Sequence, residues 1–343
     1  MPEVPALALA AWRLQLTALL LGLGAAAQWR DLPPADRARA ASSLPLLAGS
    51  GACLGVHFGA WVWGLQHTSL THSLLMVSAT PLLLAALALA TGSPMSRGEL
   101  GGAVLGLAGA VVLSVGASSG SEERVGLPGD LASLLASAVM VGYLSVGRRL
   151  RQWMPIFVYA FPVTGIAALG LTAGALLLEP VSLTGGGSRG VFGWLAAPHY
   201  AGWVLYLALG PGIVGHTGFN TLLRYLSPLT VALAFQMEPL VGSLIGWAAG
   251  VMAAPGPLTY WGGILVLAAT VMVTWASTAR ERLEREGGAG ADEREGGGGG
   301  GGGAAEVGEG GGVGGGKEGG REGGKAVALG VRKGAERAGD GAA

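Results

Sequence analysis

Cysteine is nearly absent from this chain: its 343 residues hold one, Cys53. A single thiol excludes an internal disulfide and any metal site built from several cysteines, and in its apolar, glycine-spaced run it reads as a small packing residue. Charge is scarce too, at 12% of residues against about 25% in a soluble domain, and much of it sits at one end. Residues 280–343 carry 10 of the 21 Lys and Arg and 12 of the 21 Asp and Glu. Every lysine lies in that tail, so the body has no basic stripe for nucleic acid. The sequences G-x-S-x-G, H-E-x-x-H and Walker A are missing, and His67 and His72, five residues apart, fit no common zinc spacing. The residues therefore give no sign of an enzyme, a cofactor, a bound metal or an ATP-driven pump.

What the chain has instead is long apolar runs, a 51% hydrophobic composition and a mean hydropathy of +0.53. Runs of about 20 apolar residues are long enough to cross a bilayer as helices. Nine are expected, at 4–24, 44–66, 70–91, 99–118, 129–147, 155–178, 200–223, 229–250 and 257–278. Ala25, Ala26 and Ala27 resemble a signal-peptidase site after the first run. Arg13 and Gln15 within that run, and the uncharged opening Met-Pro followed by Glu3, argue for a retained span. The alternate loops 25–43, 92–98, 148–154 and 224–228 contain eight arginines (Arg30, Arg37, Arg39, Arg97, Arg148, Arg149, Arg151 and Arg224), whereas the others contain only Arg124 and Arg189. Because Lys and Arg accumulate on the cytoplasmic side, the eight-arginine side and the C-terminus are expected to be cytoplasmic, with Met1 on the opposite side.

Small residues recur every four positions at Gly51, Gly55 and Gly59, at Gly98, Gly102 and Gly106, and at Gly242, Gly246 and Gly250. Helices in lipid gain little from apolar burial and associate by close approach through such residues. These are expected to be packing seams within the bundle, with a homodimer interface as the alternative. From Arg280 a charged stretch, RERLERE, is expected to prolong the last helix by a turn or two. The Gly/Glu-rich tract after it is too polar to bury a core and is expected to be disordered.

The chain also repeats itself. Residues 69–81 (SLTHSLLMVSATP) return as residues 227–239 (SPLTVALAFQMEP), 158 positions later and without a gap. A duplicated apolar bundle is the mark of a carrier with a site where the halves meet. The order of elements resembles the drug/metabolite transporter superfamily, in particular its EamA-type members. It is carried by HTSLTHSLLMVSATPLLLAALALATGSPMSRGELGGAVLGLAGAVVLSVG in the first half and YLSPLTVALAFQMEPLVGSLIGWAAGVMAAPGPLTYWGGILVLAATVMVTW in the second. The resemblance covers residues 1–278 and implies an all-α polytopic membrane protein of two inverted repeats, five helices each in the family. As written, the chain supplies four plus five: a first repeat at 1–118, a second at 129–278 and a tail at 279–343. Met1 and Pro2 line up with Met154 and Pro155, so the first helix of the first repeat is the missing one. The two readings of that gap are a truncated gene model and a nine-span variant.

From residue 44 onward the only charged residue near the centre of a firmly placed span is Glu238, eleven residues beyond Ser227. That is roughly 16 Å at 1.5 Å per residue, about the midplane of a ~30 Å core. A carboxyl group at that depth is costly unless it is paired, protonated or in contact with water. Proline follows Glu238 as Pro239, as Pro81 follows its counterpart Thr80, and each is expected to kink its helix. Gln236 is expected to point away from the site. The resemblance adds Arg13, because members often carry an arginine in this helix. It also adds His57, His216 and Asn220, from helices that face the centre in the family. Each has a bland alternative: Glu238 as a neutral hydrogen-bonding device, Arg13 reaching toward an interface, and the histidines as packing residues. Trp61, Trp63, Tyr143 and Tyr159 line an apolar cavity on one reading and anchor span ends on the other.

The expectation is a secondary transporter of a small organic metabolite or drug-like solute, embedded in a lipid bilayer, working by alternating access and open to proton coupling through Glu238. One alternative is a nucleotide-sugar or sugar-phosphate exchanger, disfavoured because helices 229–278 contain no Lys or Arg. The other is a non-transporting scaffold or truncated fragment.

Overall fold

A computed structural model describes residues 3–117, 126–250 and 254–296. Its elements are α1 (Ala6–Asp31), α2 (Pro34–Ser42), α3 (Leu44–His67), α4 (Leu70–Val77), α5 (Thr80–Ala90), α6 (Arg97–Ala117), α7 (Leu127–Arg151), α8 (Ile156–Leu178), α9 (Gly193–Ala196), α10 (Pro198–Leu207), α11 (Gly218–Leu222), α12 (Pro228–Phe235), α13 (Glu238–Ala248) and α14 (Pro257–Gly296). Among the described residues there is no strand, only an isolated bridge between Ser182 and Gly190. Met1–Ala291 form one compact unit. The second unit, Asp292–Ala343, is described only over residues 292–296, the end of α14.

Among the described residues, eight helical stretches are long and apolar enough to cross a membrane, which makes this a multi-pass, all-α membrane protein. The ninth expected span, 200–223, is not a uniform α-helix. It runs as α10, a ten-residue π-helical stretch at Ala208–Thr217, then α11. Pro211 lies inside that stretch; a proline lacks the N–H needed by the i→i−4 ladder, and a wider turn is one way to absorb it. The expected loop 25–43 is largely helical, because α1 continues to Asp31 and α2 follows. At the other end α14 runs to Gly296, further than the turn or two expected beyond 278. The tail from 297, expected to be disordered, lies outside the described residues, as does Arg124.

The bundle is held by close approach and by hydrogen bonds between spans. α1 packs on α8, and α3 packs on both α7 and α8. A methyl group added to Gly51 would come within 2.8 Å of the Val163 carbonyl oxygen, and one on Gly55 within 3.4 Å of Ala167. Gly98 approaches Ala276 of α14 in the same way. These two seams work as packing seams. Gly242 and Gly250 of the third face open space. Glu179 accepts from the backbone N–H groups of Leu7 (2.7 Å) and Ala8 (2.9 Å), meeting donors that the first turn of any helix leaves unpaired. At the arginine-rich ends, Arg280 grips Glu99 through Nε and Nη2 (3.0 and 3.1 Å). Arg148 and Arg151 donate to the carbonyls of Leu223 (2.9 Å) and Asn220 (3.1 Å).

The internal repeat is reproduced element by element. α4 and α12 are eight residues each and α5 and α13 eleven each, all offset by 158. Ser69 and Ser227 cap the first members through their side chains, accepting from the N–H of His72 (3.1 Å) and Thr230 (3.2 Å). Where kinks are expected, both helices stop and restart, at Ser78–Ala79 and Gln236–Met237. Pro81 and Pro239 occupy the first turns of the restarted helices, where a missing N–H costs nothing. Both copies end on a left-handed glycine, Gly92 (φ 65°) and Gly250 (φ 71°).

The surroundings of the copies differ. α7 lies along α3, α4 and α5, joined by Ser133 to Ser73 (2.8 Å), Ser137 to Thr80 (2.9 Å) and Asp130 to Thr68 (2.6 Å) and His72 (3.2 Å). Among the described residues no helix covers α10–α13 in this way, and Val241, Ile245 and Trp247 of α13 are exposed.

Candidate functional site

Arg13 stands in the second turn of α1, with its guanidinium directed into the bundle. Nη2 donates to the Pro211 carbonyl (3.3 Å) in the π-helical stretch, and Cζ lies 4.5 Å from the centre of the Phe58 ring. Its Nε is buried and has no hydrogen-bond partner among the described residues. The proline that widens the helix thus also contributes a carbonyl to hold the arginine.

Next to Arg13 is a polar cluster from the second repeat. Asn220 donates through Nδ2 to the Tyr143 hydroxyl (2.6 Å) and to the His216 carbonyl (2.8 Å), while its buried Oδ1 has no hydrogen-bond partner among the described residues. The His216 ring packs against Phe58, Tyr143 and Phe235 at centroid distances of 5.3, 5.5 and 5.8 Å. Arg13, Thr17, Phe58, Tyr143, His216 and Asn220 line a cavity of about 10 Å³, the volume needed for about one water. The site is closed in this conformation, and an organic solute enters only if the helices part.

The structure therefore brings Arg13, His216 and Asn220 together and leaves the other candidates elsewhere. His57 is buried; its Nδ1 donates to the Ala136 carbonyl (2.9 Å) and its ring stacks on Trp61, so it ties α3 to α7. Thr80 is buried against α7, bonded to Ser137 and to the Val77 carbonyl (3.0 Å). Glu238 opens α13 and is exposed, with no hydrogen bond or ion-pair partner among the described residues, although it and Arg13 feel each other's charge. It does not line the small cavity. A carboxylate at mid-span cannot face lipid without a penalty of several kcal/mol, so this position calls for water, a proton or a covering group.

Gln236, expected to point away, is 5% exposed and donates through Nε2 to the Ser78 carbonyl (2.7 Å). The signal that could have found it was the repeat: residues 78 and 236 are counterparts at the 158 offset. Thr17, Phe58 and Pro211 also belong to the site, and nothing in their local sequence pattern marks them.

Residues 1–115 match the sequence profile of the EamA-like transporter family. That match spans about a third of the chain and is consistent with an EamA-type domain there. The match and the eight apolar helices among the described residues agree on a multi-pass membrane protein. No curated protein matches the chain. Solved structures do match, among them a protein crystal structure 22% identical in sequence, with a TM-score of 0.59 over 80% of this chain and 90% of that one. At that identity the likeness shows the fold alone.

Proposed function

We propose that the chain is a secondary transporter that moves a small organic solute by alternating access between its two repeats. It performs no covalent chemistry, and its C-terminus lies in the cytoplasm. Arg13, Asn220 and His216 bind the solute, and Glu238 responds to protons or to a positive group on the solute. The observation that carries this reading is the pair of unmet buried groups at one cavity, Arg13 Nε and Asn220 Oδ1. An unsatisfied buried polar group costs about 1–3 kcal/mol, and a solute offering both an acceptor and a donor removes that cost at both atoms. The cavity is walled by α1 and α3 of the first repeat and by α7, α8 and the π-helical stretch of the second, as a site shared between halves requires.

The test is uptake into proteoliposomes of a labelled panel of cationic, anionic and zwitterionic solutes. At least one should accumulate at a rate reduced tenfold or more by Arg13→Gln, and Glu238→Gln should alter its pH response. Absence of protein-dependent uptake across all three charge classes would remove the reading. The exchanger of phosphorylated sugars is the weaker alternative, because phosphate recognition calls for several fixed cations and Arg13 is the one arginine lining this cavity.

A further inference from the structure

We infer that Gln236 and Ser78 form the pivot about which the two repeats move, with Gln236 the residue that positions α13 and the Glu238 at its start; this rests on the carrier reading above. Four observations support it. First, both long helices are interrupted at equivalent places, so neither is a rigid rod there: two-residue turns separate α4 from α5 and α12 from α13. Second, the interruptions touch each other through the 2.7 Å bond from Gln236 Nε2 to the Ser78 carbonyl. Third, the site is tightly packed. Gln236 is 5% exposed, and a Cβ on Gly106 would lie 3.0 Å from its Oε1. Breaking a hydrogen bond in such surroundings leaves both groups unmet, which makes the bond worth keeping throughout a cycle.

The fourth observation is one of symmetry. Residue 236 is residue 78 displaced by 158 positions, so each end of the bond is the counterpart of the other. If a carrier changes access by its halves exchanging shapes, the point that maps onto itself is the point that stays still. All other inter-repeat contacts named above join unlike positions. The half-helices on either side then act as levers of eight and eleven residues, about 12 and 16 Å long at 1.5 Å per residue. α12 packs against α5, as expected for helices that cross in opposite directions, so the start of α4 shares an end of the bundle with the finish of α13.

Spin-label distance measurements in lipid nanodiscs test this without knowledge of the solute. In a Cys53→Ser background, one labelled pair is Leu70→Cys with Trp247→Cys, and the other is Leu89→Cys with Tyr225→Cys; all four native side chains are exposed. A pivot predicts two distance populations at each pair, with the fraction long at one end matching the fraction short at the other. Gln236→Met, similar in length but without a donor, should abolish that match. If both ends lengthen together, or if Gln236→Met leaves matched fractions unchanged, the pivot is wrong while the carrier reading stands. A single, unchanging distance at both ends would overturn both. Should Gln236→Met fail to fold, the matched fractions in the protein with Gln236 intact still decide the proposal.

Discussion

The two broken helices share a backbone and differ in what surrounds them. α4–α5 and α12–α13 have the same lengths, the same serine caps, breaks at the same register and the same left-handed terminal glycines. Yet Thr80 is buried and bonded to Ser137 of α7, whereas Glu238, its counterpart, is exposed and makes no hydrogen bond among the described residues. The difference separates two jobs. Local signals repeated in the sequence build the shape twice, and packing then decides which copy is covered by a neighbouring helix and which leaves its side chain exposed. A threonine satisfied by two hydrogen bonds has no reason to bind a solute. An exposed carboxyl group at mid-span is costly unless it is protonated, covered or in contact with water.

The comparison can be broken most severely at its unequal residues. Glu238→Gln should lower uptake of a coupled solute tenfold or more and flatten its pH profile, whereas Thr80→Val should change uptake by less than about threefold, a loss of roughly 0.6 kcal/mol. Equal effects at the two positions would show that the asymmetry carries no function. Where the backbones agree, substitutions should agree too. Gly92→Ala and Gly250→Ala each place a side chain at positive φ, which costs about 1–2 kcal/mol, and thermal unfolding in detergent should show similar losses for both. Ser69→Ala and Ser227→Ala remove equivalent caps and should each cost about 1 kcal/mol. The smallest effect is expected of Ser137→Ala, about 0.6 kcal/mol through loss of the Thr80 bond. It should vanish in a Thr80→Val background, a double-mutant cycle that measures what α7 supplies to the first copy alone.

Much of this architecture is legible in the residues because membrane helices are announced by long apolar runs and by the breakers between them. The repeat and its prolines predicted where two helices would be disturbed. The form of the disturbance was not predictable, since a proline in the first turn of a restarted helix and one inside a continuous helix look alike in sequence. The π-helical stretch was hidden for a related reason: Pro211 lies within an apolar run like any other, and only the neighbouring helices show that its carbonyl is presented to Arg13. Among the site residues, Arg13, His216 and Asn220 converge on one cavity, while His57 and Thr80 are taken up by helix contacts. Burial and direction of individual side chains depend on which helix lies opposite, which composition and spacing do not encode. Gln236 shows the same limit, since its partner lies 158 residues away.

Alternating access at the Arg13 cavity is the central claim, and a single cysteine can test it. Thr17 lines the cavity and is 2% exposed. In a Cys53→Ser background, Thr17→Cys should react with a membrane-impermeant maleimide applied from either side of oriented vesicles. Labelling from one face only, or from neither, would contradict the account.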